Sequence, residues 1–303
     1  MCKDIEQRME QLVQQAMSRF EGQAAAQGMD QARIIARRGA VAGCRFHVLE
    51  GVDRLMPLAA RAIMELDDRG RDLASGTVWW ASSLGAPRGR MQRQWWAPEG
   101  GIYFCIAIFP ELQRVLWPLY SIAMGVAIAD VMQARGVDAR VRWINDVLLN
   151  GRKVSGTIAE TVHAPMADQT YLVMGTGINV NIPSFPDYLG HATSLLLETG
   201  KRWDLPVMGA EIIARLGWYM GLLHQWDAEN LDREPHERSE STVISVWRQR
   251  SDSLGRQVVF GRDLESEEGE RGDILDIEVD GRLVIQDRQG EIIMLDSGEI
   301  RYV

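Results

Sequence analysis

The chain has 303 residues, 46% hydrophobic and 25% charged, which suits one large domain plus a small one and excludes a disordered tail or a miniature scaffold. Thirty-three basic against 42 acidic residues leave a net charge of −9, which disfavours a nucleic-acid-binding role. Cys2, Cys44 and Cys105 make neither a disulfide framework nor a CxxC metal ribbon, so a reducing cytoplasm fits them best. Residues 1–42 read as one or two polar helices, Asp4–Phe20 and Gln31–Arg38, separated by Gly22–Gly28: an N-terminal appendage. The stretch Met1–Arg8 is mixed in charge and no run of ~18 apolar residues follows, so neither a signal peptide nor a membrane span is expected.

From Cys44 to about Trp226, β-rich runs alternate with apolar helices. The predicted strands are Cys44–Leu49, Gly76–Ser82, Ile102–Phe109, Ala139–Ile144, Val147–Leu149, Lys153–Thr161 and Gln169–Asn181; the predicted helices are Arg54–Leu66, Pro118–Arg135 and Met208–Trp226. Asn150-Gly151 between two strands is a strong hairpin signal, and hairpins with helices on one face predict an α+β fold with a mixed, largely antiparallel sheet. After a polar linker, Asp232–Thr242, the strands Gln257–Phe260, Asp273–Val279, Arg282–Gln286 and Glu291–Asp296 predict a small barrel of about five strands. The acidic run Asp263–Asp273 reads as a solvated loop. The domains expected are residues 1–43 (helical extension), 44–238 (catalytic) and 239–303 (small β-barrel).

Three segments carry chemistry. Gly85–Trp95 puts Arg88, Gly89, Arg90 and Arg93 on a loop followed by Trp95-Trp96; guanidinium forks suit phosphates or carboxylates, although a surface turn backed by core aromatics fits the same residues. In Arg142–Gly156 the hairpin returns Lys153 beside Asn145 and Asp146, a set able to hold a nucleotide, its Mg²⁺ and an acid being activated. Thirty of the 33 basic residues are arginine, so a mid-chain lysine is a candidate for chemistry that arginine cannot do, or a chance survivor at a solvated site. Gly175–Asn181 is a Gly-rich strand end that lets a ligand approach the backbone; it is too short for a dinucleotide fingerprint.

Together these segments resemble the biotin protein ligase family, the biotin branch of the biotin/lipoate ligase superfamily. Pro87–Trp95 is similar to its GRGRxGRxW loop, Arg142–Gly156 to its KWPND and NGRKxxG, Gly175–Asn181 to its GxGxNVN, and Ala192–Leu195 to its ATSL. The resemblance implies a class II aminoacyl-tRNA-synthetase-like catalytic fold with an SH3-like C-terminal β-barrel. It implies two steps: ATP and biotin give biotinyl-5'-AMP, then a lysine of a biotin carboxyl-carrier-type acceptor domain attacks it. Lys153 and Arg90 would be catalytic. Arg88, Gly89, Arg93, Trp95, Asn145, Asp146, Gly156 and Asn179 would bind the adenylate, with Asn179 reading the adenine edge and Trp95 closing the acid pocket. Gly51, Val52, Asp53, Ser83 and Leu84 would line that pocket. Mg²⁺ would arrive with ATP, no structural metal is expected, and a homodimer is compatible with the family.

The departures fall in the acid pocket. Glu50-Gly-Val-Asp53 stands where the family has Ser-Thr-Asn, so Gly51 and Val52 offer no side-chain donors, and each ureido group left unpaired would cost about 1–3 kcal/mol. Leu84 or Gly85 replaces a family Gln; Pro87 and Gln92 stand at family glycines, Ile144 at a Pro and Arg142 at a Lys. Trp79 and Trp80 read as core residues. A ligase for a lipoyl- or fatty-type acid and a non-catalytic nucleotide-binding relative are the alternatives. Residues 1–43 are short for a DNA-binding winged helix, and no repressor role is expected.

Overall fold

The computed structural model of the chain describes residues 2–234 and 237–303, with only the backbone of Cys2. Pro235 and His236 of the expected linker, and Met1, lie outside the described residues.

Two-residue alternation in the central strands produces a sheet apolar on both faces. In β3 (Ile102–Ile108), Ile102, Phe104, Ile106 and Ile108 enter one core while Tyr103, Cys105 and Ala107 enter another, the period of a pleated strand. Strand β2 (Thr77–Leu84) repeats this, with Val78 and Trp80 on one face and Trp79 and Ala81 on the other. The seven strands run β1 (Arg45–Val52), β2, β3, β7 (Gln169–Ile178), β6 (Arg152–Ala164), β5 (Asp146–Leu149), β4 (Arg140–Arg142). Strands β1 and β2 pair in parallel and the other neighbours are antiparallel. Trp80 stacks on Phe104 and Trp79 on His47, so both tryptophans are core residues.

Both apolar faces must be covered, which corrects the expectation of helices on one face. One face carries α4 (Pro118–Gln133) and α6 (Leu205–Ala228), overlaid by α1 (Cys2–Ala26), α2 (Ala32–Gly39) and α7 (Thr242–Arg250). The other carries α3 (Met56–Asp67), whose Ala59 and Ile63 pack among Trp79, Tyr103 and Cys105. Helix α1 continues through Gly22 to Ala26, and Met9, Val13, Ala16 and Met17 form its buried stripe. The N-terminal segment is thus docked on the body. Where α2 crosses α6, a Cβ on Gly39, Gly217 or Gly221 would overlap the facing backbone. The segment Arg114–Gln133 is long and apolar enough to cross a membrane by composition, contrary to expectation; 78% of its apolar window is buried inside this fold.

The C-terminal strands β8 (Gln257–Gly261), β9 (Glu270–Ile277), β10 (Leu283–Asp287), β11 (Ile292–Leu295) and β12 (Glu299–Tyr302) form a sheet ordered β11-β10-β9-β8-β12. It does not close, which corrects the expected SH3-like barrel. Closure would require β11 to pair with β12, but β12 and its turn face the arginine loop of the seven-stranded sheet: Arg90 donates to the Gly298 carbonyl and Arg93 to Glu299. The acidic run is also more than a solvated loop, because residues 270–273 belong to β9 and Asp263 pairs with Arg93. The inner face of this sheet, including Val258, Ile274 and Leu283, joins the core under α4.

Candidate active site

The site is built where β5, β6 and β7 meet the loop after β2. Asn150 and Gly151 both have positive φ (50° and 75°) and link Leu149 directly to Arg152, the mirror-image turn that matches strand twist. In β6 the register then shifts: Val147 faces Ser155 but Leu148 faces Lys153, leaving Val154 as an extra residue. Val154 joins the core beneath α4. The bulge reverses the side-chain parity, so Lys153 lies on the same face as Gly156; a Cβ on Gly156 would sit 3.0 Å from the Lys153 Nζ. The Lys153 backbone is fixed by a bond from its N–H to the His191 carbonyl and one from the Thr193 N–H to its own carbonyl.

The Lys153 Nζ lies 2.7 Å from Asp146 Oδ1 and 5.4 Å from the centre of the Trp95 ring, while Arg142 donates to Asp146 Oδ2 at 2.7 Å. Burial pushes the Asp146 carboxyl up, but the Lys153 and Arg142 charges outweigh it and hold the group below the ordinary carboxylate range. Under Trp95 lies a floor of glycine: a Cβ on Gly177 would come 2.8 Å from the indole Nε1, and one on Gly175 would meet Met56. Among the described residues, the Trp95 Nε1 is a buried donor without a hydrogen-bond partner. Asn179 donates to the Thr193 carbonyl, while its Oδ1 is a buried acceptor with no partner among the described residues. An unmet donor and an unmet acceptor in one cleft are what a bound ligand would satisfy.

The cleft has a volume of about 890 Å³. It brings together Arg88, Gly89, Arg90, Arg93, Trp95, Asn145, Asp146, Lys153, Gly156 and Asn179, with Leu84 at one end. Gly51, Val52, Asp53 and Ser83 are not among its lining residues. Gly51 pairs with Ser83 and Val52 with Leu84 at the adjoining ends of β1 and β2, and a Cβ on Gly85 would meet the Asp53 carboxylate. Asn145 is turned to the sheet and donates to the Thr157 carbonyl.

The arginine loop forms a small hairpin, with Gly89 N–H bonded to the Arg93 carbonyl and an Arg88–Gln94 bridge. Arg93 is gripped by Asp263, by Glu265 at 3.1 Å and by Glu299 at 2.5 Å. Sequence reasoning missed these carboxylates, which lie 170–206 residues away; no local signal marks them. It also missed His191 and Tyr188, which line the cleft mouth beside the Trp96–Phe185 edge contact. The Ala192–Leu195 motif has a structural part: Ser194 caps α5 (Leu195–Thr199), and Glu198 of that helix binds Asn150 and Arg152 of the hairpin.

Residues 63–179 match the model of the biotin/lipoate A/B protein ligase family. The matched segment is less than half of the chain, and over it the chain is similar to that family. A bifunctional ligase/repressor BirA from Bacillus spizizenii is 35% identical over 134 residues, 43% of this chain and 41% of that protein. The matched part is therefore less than half the length of that relative. A biotin–[acetyl-CoA-carboxylase] ligase from Mycobacterium tuberculosis is 27% identical over 238 residues, 76% of this chain and 80% of that one. Among solved structures, a biotin protein ligase from Aquifex aeolicus in complex with biotin and ATP superposes with a TM-score of 0.65 at 23% identity, covering 85% of this chain and 99% of that one. The biotin ligase fold is thereby shown for the body of the chain.

Proposed function

We propose that this chain is an ATP-dependent biotin protein ligase that forms biotinyl-5'-AMP and transfers the biotinyl group to a lysine of a biotin carboxyl-carrier-type acceptor domain in the cytoplasm. The observation that carries this reading is Lys153, turned into the cleft by the β6 bulge and held between Asp146 and the Trp95 ring. In the first step a carboxylate oxygen of the acid attacks the α-phosphorus of ATP and pyrophosphate leaves. Lys153 offsets the charge shared by the incoming carboxylate and the phosphate, while Arg88 and Arg90 hold phosphate oxygens. Arg90 keeps donors for this beyond the one given to Gly298. In the second step the acceptor amine attacks the acyl carbon of the mixed anhydride, loses a proton and releases AMP. Trp95 covers the acyl group and excludes water.

Arg93, committed to three carboxylates, acts in this reading as the anchor of the loop and not as a phosphate ligand. A resident Mg²⁺ does not fit the residues present. Both Asp146 oxygens are engaged by cations, and the described residues include no cluster of three or more His, Cys, Asp or Glu able to hold a metal. Mg²⁺ belongs with the ATP phosphates.

A second reading, adenylation of a lipoyl- or fatty-type acid, is favoured by one observation: the α3 end of the cleft presents the apolar side chains of Leu55, Met56 and Leu84. ATP–pyrophosphate exchange with biotin, lipoate or octanoate separates the two. Exchange dependent on biotin and abolished by Lys153→Ala is the expected result. Exchange with another acid replaces the substrate, and silence with every acid refutes the ligase reading.

A further inference from the structure

Strand β1 is the outer strand of the seven-stranded sheet, so alternate N–H groups along it point away from β2 and have no strand to bond. Two of them are nevertheless satisfied. The Phe46 N–H donates to Glu10 Oε1 at 3.3 Å and the Val48 N–H to Glu6 Oε1 at 3.2 Å, both carboxylates coming from α1. The spacing explains the fit. Residues four apart on a helix are separated by about 6 Å along its axis, and residues two apart on a strand by about 6.6 Å. A Glu at every fourth helical position therefore presents an acceptor at nearly the repeat at which an added strand would present its carbonyls. Here α1 runs antiparallel to β1, with Glu10 opposite Phe46 and Glu6 opposite Val48. Met9 and Val13, adjoining them on the helix, are buried and hold α1 down on the body.

We propose that α1 is a strand mimic: Glu6 and Glu10 occupy the acceptor positions of an eighth strand and close the β1 edge to pairing with a second copy of this chain. An assembly of two copies would have to use another surface. The same contact steadies β1, whose far end carries Gly51 and Val52 beside the cleft. The cap is independent of which acid the cleft takes.

The test uses the full chain and two double variants. In E6Q/E10Q each side chain keeps a carbonyl acceptor; in E6M/E10M length and helix propensity are kept and the acceptor is lost. Hydrogen exchange is read at the Phe46 and Val48 amides against Phe104 in β3, and mass is read by light scattering across protein concentration. The expected result is exchange about tenfold faster at Phe46 and Val48 in the methionine pair alone, with Phe104 unchanged and a concentration-dependent shift toward dimer. Unchanged exchange in the methionine pair, or equal acceleration in the glutamine pair, overturns the mimicry. Fast exchange in a methionine pair that remains monomeric at every concentration overturns the exclusion of a second copy.

Discussion

Asp146→Asn strips the charge from the group that holds Lys153 in the cleft and leaves the shape unchanged. The carboxylate accepts two charge-assisted contacts, each 2.7 Å, from Lys153 and Arg142. Such bonds contribute about 1.5–3 kcal/mol each when shielded, and the partial exposure of all three side chains, 18–26%, reduces this. Asparagine keeps one acceptor but leaves two cations facing each other without a counter-charge. The expected loss of stability is about 1–2 kcal/mol, a fall in Tm of about 2–6 °C for a chain of this size. Lys153 retains only the Trp95 face as a support, so acid-dependent pyrophosphate exchange should fall about 10- to 100-fold in kcat/KM, or about 1.4–2.7 kcal/mol of barrier. The pH dependence follows from the same charges. The folded-state pKa of Asp146 is depressed, so its contribution is fully present above the unfolded value of about 3.9 and is lost as pH falls through the lower folded value. The stability gap between wild type and Asp146→Asn should hold steady from pH 7 to about 5 and close below about pH 4. Exchange in Asp146→Asn within twofold of wild type, or a stability gap that persists unchanged at about pH 2, would refute the assignment of Asp146 as the holder of Lys153.

Gly177→Ala places a methyl group 2.8 Å from the Trp95 indole nitrogen, so Trp95 must lift from the glycine floor; KM for the acid should rise at least about fivefold with the KM for ATP little changed, accompanied by a shift in tryptophan emission. Gln92 occupies a left-handed conformation at φ 60°, and Gln92→Gly should relieve about 1 kcal/mol of local strain, seen as a raised Tm with the loop geometry retained. Glu299→Ala removes the 2.5 Å partner of Arg93, and limited proteolysis should then cut within residues 88–94 faster than in wild type, while Glu299→Gln behaves between the two.

The parts of the fold governed by short-range chemistry were legible in the sequence. Short β-rich runs located β2, β3 and β7, Asn150-Gly151 marked the hairpin that returns Lys153 to Asp146, and continuous apolar character marked α4 as a buried helix. What was not legible depends on contacts far along the chain. The bulge at Val154 leaves the apolar pattern intact and so has no signature, although it decides which face Lys153 occupies. Closure of the C-terminal sheet depends on whether β11 meets β12, and β12 instead faces Arg90 and Arg93 from some 200 residues away. The missed helix α7 had local signals that could have found it: Ser241 at its N-cap, with Arg248 and Arg250 in its last turn. Its β-branched residues, Thr242, Val243, Ile244 and Val246, obscured them.

The same long-range contacts make the arginine loop and the C-terminal sheet one device. A loop carrying Arg88, Arg90 and Arg93 would repel itself and stay open if nothing opposed its charge. Asp263, Glu265 and Glu299 neutralise the member farthest along the loop, and the Gly298 carbonyl takes one donor of Arg90. The Arg88 guanidinium donates to the Gln92 carbonyl within its own hairpin and lines the cleft, where its remaining donors can meet an anionic ligand. The loop is therefore anchored at one end and chemically unsatisfied at the other. An anion entering the cleft meets donors already held near the Lys153 face, so less of its binding energy is spent on ordering them. In the proposed reading, the acidic C-terminal strands, which add to the chain's negative charge, would thereby support the binding of an anionic ligand through the arginines they hold in place.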